Sequence, residues 1–171
     1  MDRLASKRIM VAACVLMTGL CAAGQDHTIR PVPFRVVYAD DDATGENDGT
    51  SWADAFVYLQ DALAVAGRGD RVRVAQGLYK PDQGVGFSPG DRDARFLLVN
   101  GVTLAGGYAG LTGTDPNERD IDRYETILSG DLDGDDGPDF SNMDDNSRIV
   151  VASLSSDATT ILDGFTITGG W

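Results

Sequence analysis

Apolar and polar positions alternate along this chain in short runs closed by glycine. In Gly101-Val102-Thr103-Leu104-Ala105-Gly106-Gly107-Tyr108, Val102 and Leu104 fall on one side and Thr103 on the other. The template returns as Gly164-Phe165-Thr166-Ile167-Thr168-Gly169-Gly170-Trp171, where Phe165 and Ile167 oppose Thr166 and Thr168. Period-two alternation over so few residues predicts strands with one buried face. The copies lie 63 positions apart, three times 21, and Thr126-Ile127-Leu128-Ser129-Gly130 is echoed by Thr160-Ile161-Leu162-Asp163-Gly164. Self-similarity of this kind predicts a repeat architecture: an all-β solenoid of short parallel strands, one coil stacked on the next.

The same patterning predicts strands over 34–39, 71–75, 96–99, 102–104, 126–128, 149–152 and 160–168, with 77–81 closing the second, in about four incomplete coils. One segment departs from it. Trp52, Phe56, Leu59 and Leu63 recur at spacings of four, three and four, which predicts an amphipathic helix over 51–66. Ser51 with Asp54 is its capping pair, and Gly67 and Gly69 end it. A lone amphipathic helix beside strands needs an apolar surface to cover, so it is expected to cap the open N-terminal end of the stack. The run ends on the aromatic of the second copy. Because a solenoid needs about three or more repeats and atypical end caps, further coils are expected after Trp171, and the chain is expected to be truncated at its C-terminus.

The first residues do not fit this scheme. Arg3, Lys7 and Arg8 precede twelve uncharged residues, Ile9 to Leu20, and then Cys21-Ala22-Ala23-Gly24. Basic, apolar and small regions in that order predict a signal peptide over 1–24, too short in its apolar part to span a bilayer, which takes about 20 residues. A lipoprotein signal is the rival: Val11-Ala12-Ala13-Cys14 fits its processing site but leaves only Ile9 to Ala13 as apolar core. Residues 25–33, polar and proline-bearing, read as a linker, and 34–171 as the folded domain. Both cysteines lie in the leader, so the exported chain would hold no disulfide. The whole chain carries a formal charge of −13, and loss of the leader removes more base than acid. Such a balance excludes nucleic acid and anionic lipid as partners and keeps an exported surface soluble.

Candidate chemistry concentrates in two acidic loops. Asp131, Asp133, Asp135 and Asp139 alternate with glycine in Asp131-Leu132-Asp133-Gly134-Asp135-Asp136-Gly137-Pro138-Asp139, which can turn several carboxylates toward one calcium ion. The first three match the start of an EF-hand loop. The match then fails, with Asp136 where glycine is required and Asn142 where glutamate is required. Asp144 and Asp145 could join a looser site. Asp40, Asp41, Asp42, Asn47 and Asp48 form the second loop, which could bind a cation but which helix capping and turn formation explain more simply. No nucleophile elbow or spaced acid/base pair stands out. His27, the single histidine, falls in the linker, and Arg92, Arg95, Arg119, Arg123 and Arg148 suit surface ion pairs.

The strings Val37-Tyr38-Ala39-Asp40, Asn47-Asp48-Gly49-Thr50-Ser51-Trp52, Leu59-Gln60-Asp61-Ala62-Leu63, Gly69-Asp70 and Val74-Ala75-Gln76-Gly77-Leu78-Tyr79 resemble the N-terminal region of bacterial exported right-handed parallel β-helix proteins with a pectate-lyase-like fold. Residues 164–170 are similar to the repeats of polymorphic outer-membrane proteins. The resemblance covers 36–171. It implies a right-handed parallel β-helix with the helix as N-terminal cap. The resulting expectation is an exported structural or interaction module, secreted or at the cell surface, without catalytic residues in this segment. Polysaccharide or other surface proteins are its expected partners, and calcium its one expected cofactor. The alternative is the N-terminal part of a polysaccharide lyase or glycosidase whose site lies in later coils.

Overall fold

The computed structural model describes residues 34–171; the leader and linker expected over 1–33 lie outside the described residues. The described part forms one compact unit. It is built mostly of strands in parallel sheets, with little helix and no closed barrel.

Nine short strands were found: β1 Val36–Ala39, β2 Arg71–Ala75, β3 Gly77–Tyr79, β4 Phe96–Leu97, β5 Thr103–Tyr108, β6 Thr126–Ser129, β7 Val151–Ala152, β8 Ile161–Asp163 and β9 Thr166–Thr168. They make a four-stranded sheet in the order β1-β2-β5-β8, a three-stranded sheet β3-β6-β9 and a two-stranded sheet β4-β7. Every pairing within these sheets is parallel. From β2 onward the chain visits the three sheets in turn, and each strand pairs with the one three elements later.

The register stacks like on like. In the first sheet Val37, Val72, Leu104 and Leu162 lie side by side on the inner face. In the second, Tyr79, Leu128 and Ile167 do the same. Val72, Leu104 and Leu128 are fully buried; Phe96 joins them from the third sheet, and Val150 from just before β7. The alternation that predicts these strands is therefore the alternation of core and outer face. Burial falls off at β8 and β9, the outer edges of their sheets, where Ile161 and Ile167 are about half exposed.

Three sequence expectations need correction. The two glycine-rich copies do not stack on each other. Residues 103–108 belong to the first sheet, and Thr166–Thr168 to the second. Val102–Gly106 instead stacks beside the 160–164 run, and 126–130 beside 165–169. The successive partners Val36, Arg71, Thr103 and Ile161 show an uneven advance, not a 21-residue period. Nor is 160–168 one strand: Gly164, at φ +79, turns the chain from the first sheet into the second. Gly77 has the same effect after β2, at φ +144, so 77–79 opens the second sheet rather than closing the first.

The helix is also shorter than its periodicity predicts. α1 covers Leu59–Val65, and Tyr58 before it is extended. Residues 49–56 cover the open edge of β1 instead. Tyr38 N donates to Gly49 O (3.0 Å), Asp40 N to Phe56 O (2.9 Å) and Phe56 N to Tyr38 O (2.9 Å). Those backbone bonds compete with helical ones, and a strand edge left bare would be the costlier outcome. Ser51 and Asp54 still bond reciprocally, but they close a turn: Ser51 Oγ donates to Asp54 Oδ2 (2.8 Å) and Asp54 N to Ser51 Oγ (3.1 Å). Trp52, Phe56, Leu59 and Leu63 are all buried as expected. Phe56, Leu59 and Leu63 join the main core, while Trp52 packs with Tyr38 and Tyr108 on the outer face. No helix among the described residues is long and apolar enough to cross a membrane.

Candidate metal centre

The acidic loop after β6 folds back on itself. Asp131 organises its first half: its Oδ1 accepts from Gly134 N (2.6 Å) and Asp135 N (3.1 Å), and its Oδ2 from Asp136 N (3.2 Å). Gly134 at φ +79 permits that tight return, which aspartate side chains commonly stabilise by bonding their own following backbone. The second half crosses over when Asp133 N donates to Asp145 Oδ2 at 2.7 Å. Asn142 Nδ2 adds a bond to Asp135 O at 3.0 Å.

The result gathers Asp131, Asp135 and Asp145, which each place one carboxylate oxygen within 4.8 Å of the others. Of the four residues expected from sequence, Asp131 and Asp135 meet here. Asp133 lends its backbone N–H and Asp139 sits in the exposed Pro138–Phe140 turn, so neither carboxylate joins the group. Asp145 enters from the far end of the loop. Packing this many carboxylates together has an electrostatic cost. Partial desolvation, followed by the charges of Asp145, Asp131, Asp133 and Asp136, pushes the Asp135 carboxyl above its ordinary range. Oxygen ligands of this kind suit a hard cation.

Behind the loop stands Asn146, a residue that the sequence pattern does not single out. It is wholly buried. Its Nδ2 donates to Asp136 Oδ2 at 2.9 Å, while its Oδ1 has no partner. The signal that could have marked it is the run Asp144-Asp145-Asn146, which repeats the acidic chemistry of 131–136 at the other end of the loop.

The second acidic loop is held differently. Asp40, Asp41 and Asp42 also form a close group. Asp40 is buried, and both its oxygens are occupied by backbone: Oδ1 by Asp42 N (3.0 Å) and Oδ2 by Leu111 N (2.8 Å). Burial raises its carboxyl and that of Asp41, the latter further by Asp42. Burial and the nearby Asp41 and Asp40 push the Tyr79 phenol well above its ordinary range. Asn47 and Asp48 bond Val57 N and Thr50 as turn-formers. Asp41 and Asp42 border a shallow groove of about 690 Å³ on the outer face of β3 and β6, shared with Arg123, Glu125, Leu78 and Ile127.

Three of the five arginines form the expected ion pairs. Arg119 pairs with Asp163 (2.7 Å), Arg123 with Glu118 (3.3 Å) and Arg148 with Asp93 (2.6 Å). Arg92 instead donates from Nε to Asn146 O (2.8 Å) and lies 5.8 Å from the Trp171 ring centre. No protein-family model, curated protein or solved structure matches the chain.

Proposed function

We propose that residues 34–171 form part of a right-handed parallel β-helix, and that the protein serves as an exported structural or interaction module at the cell surface. The observation that carries this reading is the cyclic visiting of three parallel sheets, each strand pairing with the one three elements later. A right-handed path is supported by the general rule that about 98% of parallel crossover connections turn that way. Inner faces of stacked apolar residues and outer faces free to vary suit a scaffold that presents loops. Export rests on the order of basic, apolar and small residues before Gly24, and the high acidity of the chain fits an exposed, soluble surface.

The test is to express the full chain, fractionate the cells and sequence the exported form from its N-terminus. A start near Gly24 or Gln25, with loops cleaved when intact cells meet protease, is the expected result. A cytoplasmic chain retaining Met1 would overturn it.

The groove beside Asp41 and Asp42 favours a second reading, a carbohydrate-active enzyme. Its carboxylates, Asp41 with its raised pKa and Glu125, have the chemistry of proton donors and acceptors to a sugar. Glu125 is already engaged, since Thr166 Oγ1 donates to it at 2.9 Å. Release of sugar fragments by the native chain, lost in Asp41→Asn, would select this reading over the scaffold.

A further inference from the structure

We propose that the loop after β6 binds one calcium ion through carboxylate oxygens of Asp131, Asp135 and Asp145 and the side-chain oxygen of Asn146, and that the ion thereby secures the segment 146–148 that ties separate passes of the chain together. This stands independently of export.

The geometry suits a single ion. Calcium sits about 2.3–2.6 Å from its oxygens, so two ligands of one ion lie at most about 5 Å apart. Oxygens of the three carboxylates fall within 4.8 Å of one another. Lys80, the nearby base, forms no ion pair with them; its Nζ donates to Leu132 O at 2.8 Å.

Asn146 supplies the independent indication. Its orientation is set, because Nδ2 donates to the Asp136 carboxylate and the reverse orientation would oppose two acceptors. The remaining oxygen is buried without a donor, an arrangement that folded proteins seldom leave unanswered. The residue follows Asp145 in sequence and reaches across to Asp136, next to Asp135. Its amide therefore bridges the two arms of the loop that bring the carboxylates together. A cation is the partner that satisfies this oxygen and the three acids at once. An all-oxygen set in an irregular loop suits calcium, which accepts 6–8 ligands and variable geometry, better than magnesium, which demands a near-ideal octahedron.

The consequence follows from what comes next in the chain. Ser147 N donates to Gly130 O (2.7 Å), Arg148 N to Arg92 O (3.0 Å) and Trp171 N to Ser147 O (3.0 Å), while Arg92 Nε bonds Asn146 O (2.8 Å). Segment 146–148 thus fastens residues 92, 130 and 171, which lie in different passes. An ion that fixes Asp145 and Asn146 fixes that fastening.

Calorimetric titration of the full chain with calcium chloride tests the site, and hydrogen exchange with and without calcium tests the coupling. One binding event is expected, with affinity of about 10⁻³ M or tighter, the limit for weak calcium modules. Asp135→Asn should weaken it at least tenfold, as should Asn146→Ala, while Asp139→Asn should leave it unchanged. Magnesium should bind at least tenfold more weakly. Calcium should slow exchange at 146–148 and 169–171 in the native chain and not in Asp135→Asn. Since Asn146→Ala also removes a buried hydrogen bond to Asp136, Asp135→Asn, whose side chain is exposed, carries the decision. No calcium heat, binding undisturbed in Asp135→Asn, or equal binding of magnesium overturns the site. Calcium binding that leaves exchange at 146–148 unaltered overturns the coupling.

Discussion

Gly106 lies directly against Gly164, so closely that a β-carbon on Gly106 would stand 2.4 Å from the Gly164 carbonyl oxygen. Gly164 sits where its pass of the chain leaves the first sheet, and Gly106 lies beside it within β5. A second pair repeats the arrangement: a β-carbon on Gly130 would stand 2.3 Å from Gly169 O. In both cases the obstacle is backbone of the neighbouring pass, which no side-chain rotation can move aside. The spacing between passes is thus set at these corners by the absence of side chains.

Gly106→Ala should therefore destabilise the fold through overpacking, by about 1–3 kcal/mol. Gly86→Ala is unsuitable as a control because Gly86 has positive φ, so Glu46→Ala, at an exposed position outside the positive-φ region, serves as the comparison. Urea denaturation measures both. A Gly106→Ala midpoint equal to that of the native chain would show that the passes are not in contact there.

Leu59 is buried at the start of α1, in the core with Val37 and Val72. Leu59→Ala should cost about 2–5 kcal/mol, the usual range for a buried leucine. Val65→Ala, at the exposed end of the same helix, should stay within about 0.5 kcal/mol. Equal losses from the two would mean that α1 does not pack on the strands.

Asp157 is held at a pKa of about 2, down from 3.8, by Thr159 through its hydroxyl and N–H and by the Arg68 guanidinium at 2.9 Å. Its folded pKa is lowered, so its contribution to stability is present above the unfolded value and lost as pH falls through the folded one. Asp157→Asn should be less stable than the native chain near neutral pH. The gap should close between about pH 4 and about pH 2. Denaturation midpoints across that range are the measurement; a gap independent of pH would mean the ionised form is not what matters.

The strands β8 and β9 form the outer edges of their sheets, and every residue of β9 is exposed. Amides over 161–168 should exchange faster than those over 71–75, which lie between two paired strands. An exposed edge also templates association. Sedimentation of concentrated protein should show self-association, reduced by Ile167→Lys. Equal protection at both segments in a stable monomer would contradict this.

The strands themselves were largely legible in sequence. The expected 71–75 is the observed strand, and 126–128 is one residue short of it. Local alternation encodes these strands, since successive side chains point to opposite faces. What alternation does not encode is which sheet a strand enters. Residues 160–168 read as one extended run, yet the turn at Gly164 divides them between two sheets. The helix was misjudged for a related reason. Phe56 meets the helical period, but its backbone bonds β1 instead, and a distant strand edge outweighed local preference.

The candidate centre divides in the same way. Sequence by itself determined the chemistry of the 131–146 loop: a concentration of carboxylates among glycines, suited to an oxygen-liganded cation. It also determined the buried face of each strand and the aromatic and aliphatic residues that fill the core. Tertiary structure decided the rest. It brought Asp145 and Asn146 back to Asp131 and Asp135, left Asp133 and Asp139 outside, and set Gly106 on Gly164 rather than on its look-alike Gly169. Face and chemistry are properties of a residue and its immediate neighbours. Ligand sets and strand partners depend on how far the intervening loop carries the chain before backbone hydrogen bonds close the next pass, and loops of uneven length erase any fixed period from which that closure could be read.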